Sequence, residues 1–350
     1  MQDGLRALGD SLIVIRGKEV LKVHIHTDHP EAVFSQLRAF GQLVSHKAED
    51  MQVQHAAVER AAAGHVMLAR RPVTLVTDSA CDLPKDIVRA HGIHVVPMAL
   101  VFGDKSLRDG IDIDATTFVA RLRAGQRATT SQPPPAAFLE AFRRAAEDGE
   151  VVLAVMVGAR LSGTFASAEA AAKRMENQVV RLFDSRAASL TQGLLVLKAC
   201  ELAELGYAVE RITEELDRIR KHSGILFTVD VFDHLLASGR VGRGQVMIAG
   251  LLDIKPILGL LDDGAVMPVA RVRGRRNVQR RMLTEIEERV PAGATVRFGV
   301  VHVDCEELAT TVVEQLQRRY PEAEILMAPV TPVLATHLGP GAWGIAYQVE

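Results

Sequence analysis

The sequence predicts an α/β fold: two α/β domains, the first with a parallel sheet and the second with a mixed one, behind a small partial α+β segment. Three observations predict it. From residue 73 onward, short β-branched runs alternate with amphipathic helical stretches, the pattern of βαβ units. Beyond residue 166 the strand candidates include adjacent pairs without a helix between them, which points to antiparallel pairing. The length, 350 residues, leaves room for two or three units at roughly 100–200 residues each. The boundaries read from the pattern are a segment at 1–66, a linker at 67–72, a first α/β domain at 73–165 and a second at 166–350.

In the first segment, Ser11 to Ile15 and Leu21 to His26 read as strands around an Arg16-Gly17-Lys18 turn. Pro30 suits a first helical turn, Glu31 to Phe40 has helical spacing, and Gly41 stops it. Gln42 to His46 reads as a further strand and Met51 to Ala63 as a helix. These elements are too few for an independent core, so the segment reads as the end of a larger domain. The next domain opens with a buried-type strand, Val73 to Thr77. A helix from Pro84 to about His91, a strand-like run from His94 to Val101, helices at Thr116 to Ala124 and Ala136 to Glu147, and a strand at Val151 to Val157 follow. Helices are then expected at Ser167 to Met175, Leu190 to Leu205, Val209 to Lys221, Asn277 to Glu288 and Cys305 to Arg319. Strands are expected at Ile225 to Val229, Ile254 to Leu260, Ala265 to Val272, Val296 to Val303 and Glu324 to Pro329.

Composition excludes several classes. Hydrophobic residues are 48% and charged residues 24%, so the chain is not of the disordered type. A net charge of −2 argues against a globally basic nucleic-acid binder. Cys81, Cys200 and Cys305 form no C-x-x-C pair, which argues against a disulfide framework or a cysteine zinc knuckle and fits a reducing, cytoplasmic setting. The N-terminus has no apolar h-region, and no stretch reaches the roughly 20 apolar residues of a membrane span. Aromatic residues are only 4%, so the core is expected to be aliphatic.

General catalytic patterns are missing: there is no G-x-G-x-x-G after a strand, no phosphate loop, no G-x-S-x-G and no H-E-x-x-H. Gly103-Asp104-Lys105-Ser106 imitates the end of a phosphate loop without its upstream glycine and reads as a turn. His24 and His26, at i and i+2 on a strand with Asp28 nearby, have a spacing a metal site uses. The same pair also reads as a strand end bonded to its own loop. Thr129-Thr130-Ser131-Gln132-Pro133 is a hydroxyl run that serves either as a helix cap or as an anion grip. Leu161-Ser162-Gly163-Thr164 follows a buried strand and opens a helix, where α/β proteins receive anionic groups. Arg240, Arg243, Arg271, Arg273, Arg275 and Arg276 concentrate positive charge as a solvated face, a nucleic-acid surface or a docking face. The scarcity of aromatics counts against nucleic-acid stacking.

An ordered series of motifs carries a resemblance. It consists of Val76-Thr77-Asp78-Ser79 with Asp82-Leu83-Pro84, Val96-Pro97-Met98, Thr129 to Pro133, Ser162-Gly163-Thr164, Leu235-Leu236 with Gly239-Arg240-Val241, Lys255-Pro256, and His337 before Gly339-Pro340-Gly341. Over residues 73 to about 349 the chain resembles the DegV family of fatty-acid-binding proteins. The resemblance implies a two-domain α/β protein that buries a fatty acid between its domains as the acyl-binding component of a bacterial fatty acid kinase. The kinase partner, related to dihydroxyacetone kinases, supplies ATP and magnesium and converts the carboxylate to acyl phosphate for phospholipid synthesis. By the same resemblance Thr130, Ser162 and His337 hold the carboxylate, with Asp78, Ser79, Ser131 and Thr164 as secondary candidates. Arg240, Arg243, Arg271 and Arg273 lie near the head group or the kinase-docking face. Ser238 stands where many relatives carry glycine.

The first segment is similar to the C-terminal part of the middle domain of the kinase component, on Gly9 to Leu12, Val23 to Asp28, Gly41, Met51 and Gln54. In that domain an H-x-H pair joins an upstream cysteine around a metal. No cysteine precedes His24 here, so the expected metal site is incomplete, and the chain reads as a kinase–DegV fusion or a fragment of one. The expectation is therefore a lipid-binding component without catalysis of its own. Two other readings stand beside it: a stand-alone hydrolase or phosphatase using Asp78, Ser79 and Asp82, residues that also read as an Asx turn followed by a helix cap, and a nucleic-acid module using the arginines.

Overall fold

The structure, a computed structural model, describes residues 10–16, 21–26, 30–40, 71–241, 254–291 and 293–350. The chain divides into two compact units, Met1–Ala69 and Arg70–Glu350. In the first, β1 (Asp10–Arg16) and β2 (Leu21–His26) pair antiparallel, with an irregularity between Asp10 and Ile13, and α1 (Pro30–Arg38) follows. The expected strand at 42–46, the helix at 51–63 and the linker lie outside the described residues.

The second unit opens with β3 (Arg71–Asp78), whose Val73-Thr74-Leu75-Val76-Thr77 run is buried on both faces, as a central parallel strand requires. Its neighbours are β4 (His94–Val96), β8 (Gly149–Met156) and β9 (Val179–Asp184), all parallel, in the order β4-β3-β8-β9. This sheet draws on residues to either side of position 165. On one face α4 (Pro135–Asp148) packs Phe138, Leu139 and Phe142 onto Val76, Val152 and Met156, alongside Ala168 and Ala171 of α5 (Thr164–Ala172).

The run expected as one strand from His94 to Val101 is split at Pro97-Met98. Proline cannot donate to a ladder, and the chain leaves one sheet there and enters another. β5 (Ala99–Phe102) turns through Gly103-Asp104 into β6 (Lys105–Arg108) and also pairs with β7 (Thr129–Ser131). Thr130, expected in a loop, thus sits on a strand opposite Leu100.

The larger sheet has the order β12-β11-β10-β15-β13-β14, comprising β10 (Ser223–Thr228), β11 (Ile254–Leu260), β12 (Val266–Arg273), β13 (Val296–His302), β14 (Glu324–Pro329) and β15 (Trp343–Val349). Only β13 and β14 pair in parallel. α9 (Arg275–Arg289) and α10 (Glu306–Arg319) cover one face around Phe298 and Ile345.

On the other face lies α6 (Ser189–Glu204). None of its residues from Ser189 to Ala203 is exposed, and it packs against strands of both sheets. Its polar side chains are spent on those strands. Gln192 Nε2 donates to Thr77 Oγ1 at 3.0 Å and Thr191 Oγ1 to the Gly224 carbonyl at 3.3 Å. At Gly193 a Cβ would lie 2.6 Å from the Cys81 carbonyl oxygen. Alanine here gains about 1 kcal/mol of helix propensity, but overpacking against backbone costs typically about 1–3 kcal/mol. Gly193→Ala is therefore expected to lower the urea midpoint. A raised midpoint would show that α6 can withdraw from the Ser79–Cys81 turn without loss.

Candidate functional site

A cavity of about 360 Å³ lies inside the second unit, within the usual range for ligand sites. Both sheets contribute to its wall: Ile225 and Phe227 from β10, Leu260, Val266 and Val301 from β11, β12 and β13, and Val157 and Leu161 from the loop after β8. A short helix, α11 (Pro332–Leu338), adds Val333, Leu334, His337 and Leu338. It starts on Pro332, whose missing N–H costs nothing in a first turn.

One end of this apolar space is polar. Thr130 Oγ1 and His337 Nε2 stand 3.1 Å apart. Ser162 Oγ and Thr164 Oγ1 are 2.8 Å apart, and Ser162 caps the Thr164 N–H at 3.3 Å. Ser162 and Gly163 face the cavity at the start of α5, so a helix N-terminus opens toward it. A Cβ at Gly163 would run into Gln132, whose Nε2 donates to Ser167 Oγ at 3.0 Å. Arg240 borders the same end and donates to the Ser238 carbonyl. Burial, and to a smaller degree the Arg240 charge, pushes the His337 imidazole down to about 4, so the ring is neutral at ordinary pH. Apolar walls with hydroxyls and a neutral imidazole at one end, and a guanidinium at its border, can take a single-headed amphiphile with an anionic head.

A second cavity of about 630 Å³ shares Thr130, Arg240 and His337 with the first and adds Arg123, Arg127, Asp233 and His234. Arg123 is paired with Asp304.

The sequence-predicted residues separate into groups. Thr130, Ser131, Ser162, His337 and Arg240 meet at the polar end. Thr164 is buried behind Ser162. Arg271 and Arg273 are exposed on β12 and are not among the lining residues, and Arg243 lies outside the described residues. His24 and His26 lie on β2, whose side chains fall outside the described residues. Among the described residues no cluster of His, Cys, Asp and Glu could hold a metal ion. No helix among them is long and apolar enough to cross a membrane.

Asp78, Ser79 and Asp82, the residues of the hydrolase reading, sit apart from the cavity. They are buried, with Asp109, at the carboxyl end of β3, and none of the three lines the cavity. Asp78 accepts from the Ala80 and Val157 N–H groups at 3.0 and 2.8 Å. Asp82 accepts from Ser189 Oγ at 2.5 Å and the Thr331 N–H at 2.8 Å. Asp109 accepts from Ser79 Oγ at 2.7 Å and the Val333 N–H at 3.3 Å, while Ser79 Oγ accepts from the Met98 N–H at 3.0 Å. With its oxygens engaged inside the protein, the cluster offers no position to a hydrolytic water or a phosphate ester. The sequence reading missed Asp109 because its partners are more than 200 residues away or act through Ser79. It missed α11 although Pro332 and Gly339 bracket it as start and stop signals.

The architecture of the second unit is that of an α/β protein built on three sheets, with a candidate ligand cavity at the carboxyl ends of parallel strands. The chain belongs to the DegV family, whose family model, described as an uncharacterised protein family, matches residues 72–350. Residues 1–58 match a second family model, the FakA-like middle domain of fatty acid kinase. Protein DegV of Bacillus subtilis is 33% identical over 277 residues, 79% of this chain and 98% of that protein. Its crystal structure, described as that of a fatty acid binding protein, matches with a TM-score of 0.75 over 80% of this chain and 100% of that one. A Thermus thermophilus DegV family protein described by its fatty acid binding is 32% identical, with a TM-score of 0.75 over 80% of this chain and 100% of that one. A Thermotoga maritima protein whose structure is described as revealing a fatty acid binding function is 28% identical, with a TM-score of 0.71 over 80% of this chain and 100% of that one.

Burial pushes Asp78 and Asp82 up to about 6 and Asp109 to about 7, against the hydrogen bonds that favour their charged forms. Their folded values exceed the ordinary 3.8, so between about 4 and about 7 the folded state binds more protons than the unfolded one. Their contribution to stability is complete below that window and is lost as pH rises through it. Urea midpoints are expected to fall from pH 5 to pH 8, and Asp109→Asn to flatten that fall. An unchanged slope in Asp109→Asn would mean that Asp109 titrates as an ordinary carboxylate.

Proposed function

We propose that this chain binds a long-chain fatty acid and presents its carboxylate for ATP-dependent phosphorylation to acyl phosphate by a kinase domain or partner, which supplies the ATP and magnesium. The observation that carries the reading is the aliphatic cavity closed at one end by Thr130, Ser162 and His337. Burying an acyl chain gains about 0.8 kcal/mol per CH₂, on the order of 10 kcal/mol for a long chain before the costs of ordering it. Polar metabolites gain nothing from such walls.

The head group sets the second requirement. A buried carboxylate needs hydrogen-bond donors. Thr130 and Ser162 supply hydroxyl donors, the start of α5 adds a favourable dipole, and the neutral His337 can donate from Nε2. A carboxylate beside His337 stabilises the imidazolium, so binding raises the histidine pKa from its low value and makes uptake slightly proton-linked in acid. The second cavity meets the first at Thr130, Arg240 and His337, leaving a side of the head group open to an incoming phosphoryl donor. The kinase-like match at residues 1–58 and the fatty-acid-binding relatives support the same reading.

Gently purified protein is expected to carry a fatty acid by native mass spectrometry and to take up labelled hexadecanoic acid. No lipid and no uptake would end the proposal. Ser162→Ala is expected to weaken binding by roughly 1–3 kcal/mol, the scale of losing a donor to a charged group. Unchanged affinity removes Ser162 from the head-group site. For the phosphorylation step, loaded protein with the catalytic component of a fatty acid kinase, ATP and magnesium is expected to give an acyl phosphate that hydroxylamine traps as the hydroxamate. Loaded protein with ATP and magnesium alone is expected to give none.

A further inference from the structure

We propose that Asp82 and Asp109 are positioning residues for the head-group site: they hold the start of α11 and so set His337 against Thr130. The inference rests on the fatty-acid reading and adds to it a purpose for the buried acids. Each carboxylate is a two-pronged clamp. One oxygen of Asp82 accepts from the Thr331 N–H and the other from Ser189 Oγ on α6. One oxygen of Asp109 accepts from the Val333 N–H and the other from Ser79 Oγ, which is itself fixed by the Met98 N–H. Residues near the start of the second unit thus grip a helix that lies more than 200 residues later in the chain.

α11 needs such a grip. Its seven residues are too few to be stable alone, so tertiary contacts decide where it sits. Val333 and His337 are i and i+4, on one face of the helix, and both line the cavity. A small shift at the Val333 N–H therefore turns the imidazole away from Thr130, a directional loss, while the non-directional apolar contacts of the wall are kept. The clamp is also held under backbone strain: Asp82 (φ +53°) and Ser189 (φ +60°), bonded to each other, both occupy the left-handed region that non-glycine residues avoid. Asp78, the third acid, is bonded to the Ala80 and Val157 N–H groups and fixes the end of β3 against the end of β8 instead.

Paired ligands separate positioning from plain stability. Hexadecanoic acid and 1-hexadecanol fill the same apolar space, but only the acid needs His337 and Thr130 placed for an anion. Asp82→Ala and Asp109→Ala are expected to lose about tenfold or more in affinity for the acid and less than twofold for the alcohol. Asp109→Asn, whose amide oxygen still accepts from the Val333 N–H, is expected to stay within threefold of wild type for both. Ser79→Ala frees one oxygen of Asp109 while leaving the three carboxylates in place. It is expected to show an acid-selective loss of about threefold, and it carries the test where alanine at 82 or 109 does not fold. Equal losses for acid and alcohol in folded variants, or no loss for either, overturn the positioning role while leaving the fatty-acid reading intact. Wild-type protein that binds neither probe overturns the fatty-acid reading and this inference with it.

Discussion

Helix α6 has no solvent face, and the architecture of the second unit follows from that constraint. A helix that is apolar nearly all round must be covered on every side, and here the cover is strands of two sheets together with the helix Val209–Arg220. Leu190, Leu194 and Leu197 belong to one continuous hydrophobic core, largely aliphatic but with Phe118, Phe183 and Phe227 in it, that includes residues of both larger sheets. Removing either sheet would expose most of α6, so the two halves are joined by burial and not by a linker. At the polar end of the helix the joint is ionic: Lys198 pairs with Glu350 at 2.5 Å, and Arg297 pairs with Glu201 at 2.5 Å, in a partly buried network between α6 and the ends of β13 and β15. Such a network fixes register more than it adds stability.

The cavity is the remainder of that joint. α6 fills the space between the sheets along its length, but beyond its N-terminus, at the carboxyl ends of β3 and β8, the sheets are no longer held apart by a long helix. Val157, Leu161 and Ala188 on one side and Ile225, Phe227 and Trp343 on the other then enclose a space instead of a contact. The short α11 closes the space, which explains why the helix that carries His337 also carries three apolar wall residues.

The legible parts of the sequence were those governed by local rules. The β-branched run at Val73 to Thr77, the long amphipathic helices and the Pro and Gly punctuation each determine their own conformation, and these elements appear within a few residues of where the pattern puts them. β15, the strand between β10 and β13, was missed. Its Trp-Gly-Ile-Ala-Tyr-Gln-Val sequence alternates strand formers with small or polar residues, a local signal that was passed over, whereas Gly344 is required because a Cβ would lie 2.9 Å from the Leu226 carbonyl on the neighbouring strand. That requirement is tertiary. At the candidate site, the hydroxyl runs around Thr130 and Ser162 stand out in the sequence, but the meeting of Thr130 with His337 depends on a contact across 207 positions. The acidic cluster allowed two readings in the sequence, a hydrolase cluster or an Asx turn with a helix cap, and the Asp78 bond to the Ala80 N–H agrees with the second. Asp78, Ser79 and Asp82 look like chemistry because sequence reveals charge but not the N–H groups that consume it.

The same solution to a buried anion recurs through the site. Asp78, Asp82 and Asp109 are buried close together, and their hydrogen-bond partners among the described residues are hydroxyls and backbone N–H groups, not cations. A carboxylate can be accommodated this way, at the cost of an upward pKa, because several oriented dipoles replace the water it lost. The proposed ligand carboxylate would meet a similar set: the hydroxyls of Thr130 and Ser162, the start of α5 and a neutral imidazole. A tightly paired cation would hold the ligand as an ion pair and reduce the nucleophilic character of the oxygen that must attack phosphorus. A ring of neutral donors leaves that charge on the ligand oxygen. Arg240 stands at the junction of the two cavities, where positive charge can meet the phosphoryl group instead of neutralising the nucleophile. The three buried acids add a reason for the outward placement: negative charge behind the polar end disfavours an anion that sinks deeper. On the proposed reading the head group would lie at the boundary between an apolar interior and a cationic exterior, where it would be both bound and reachable.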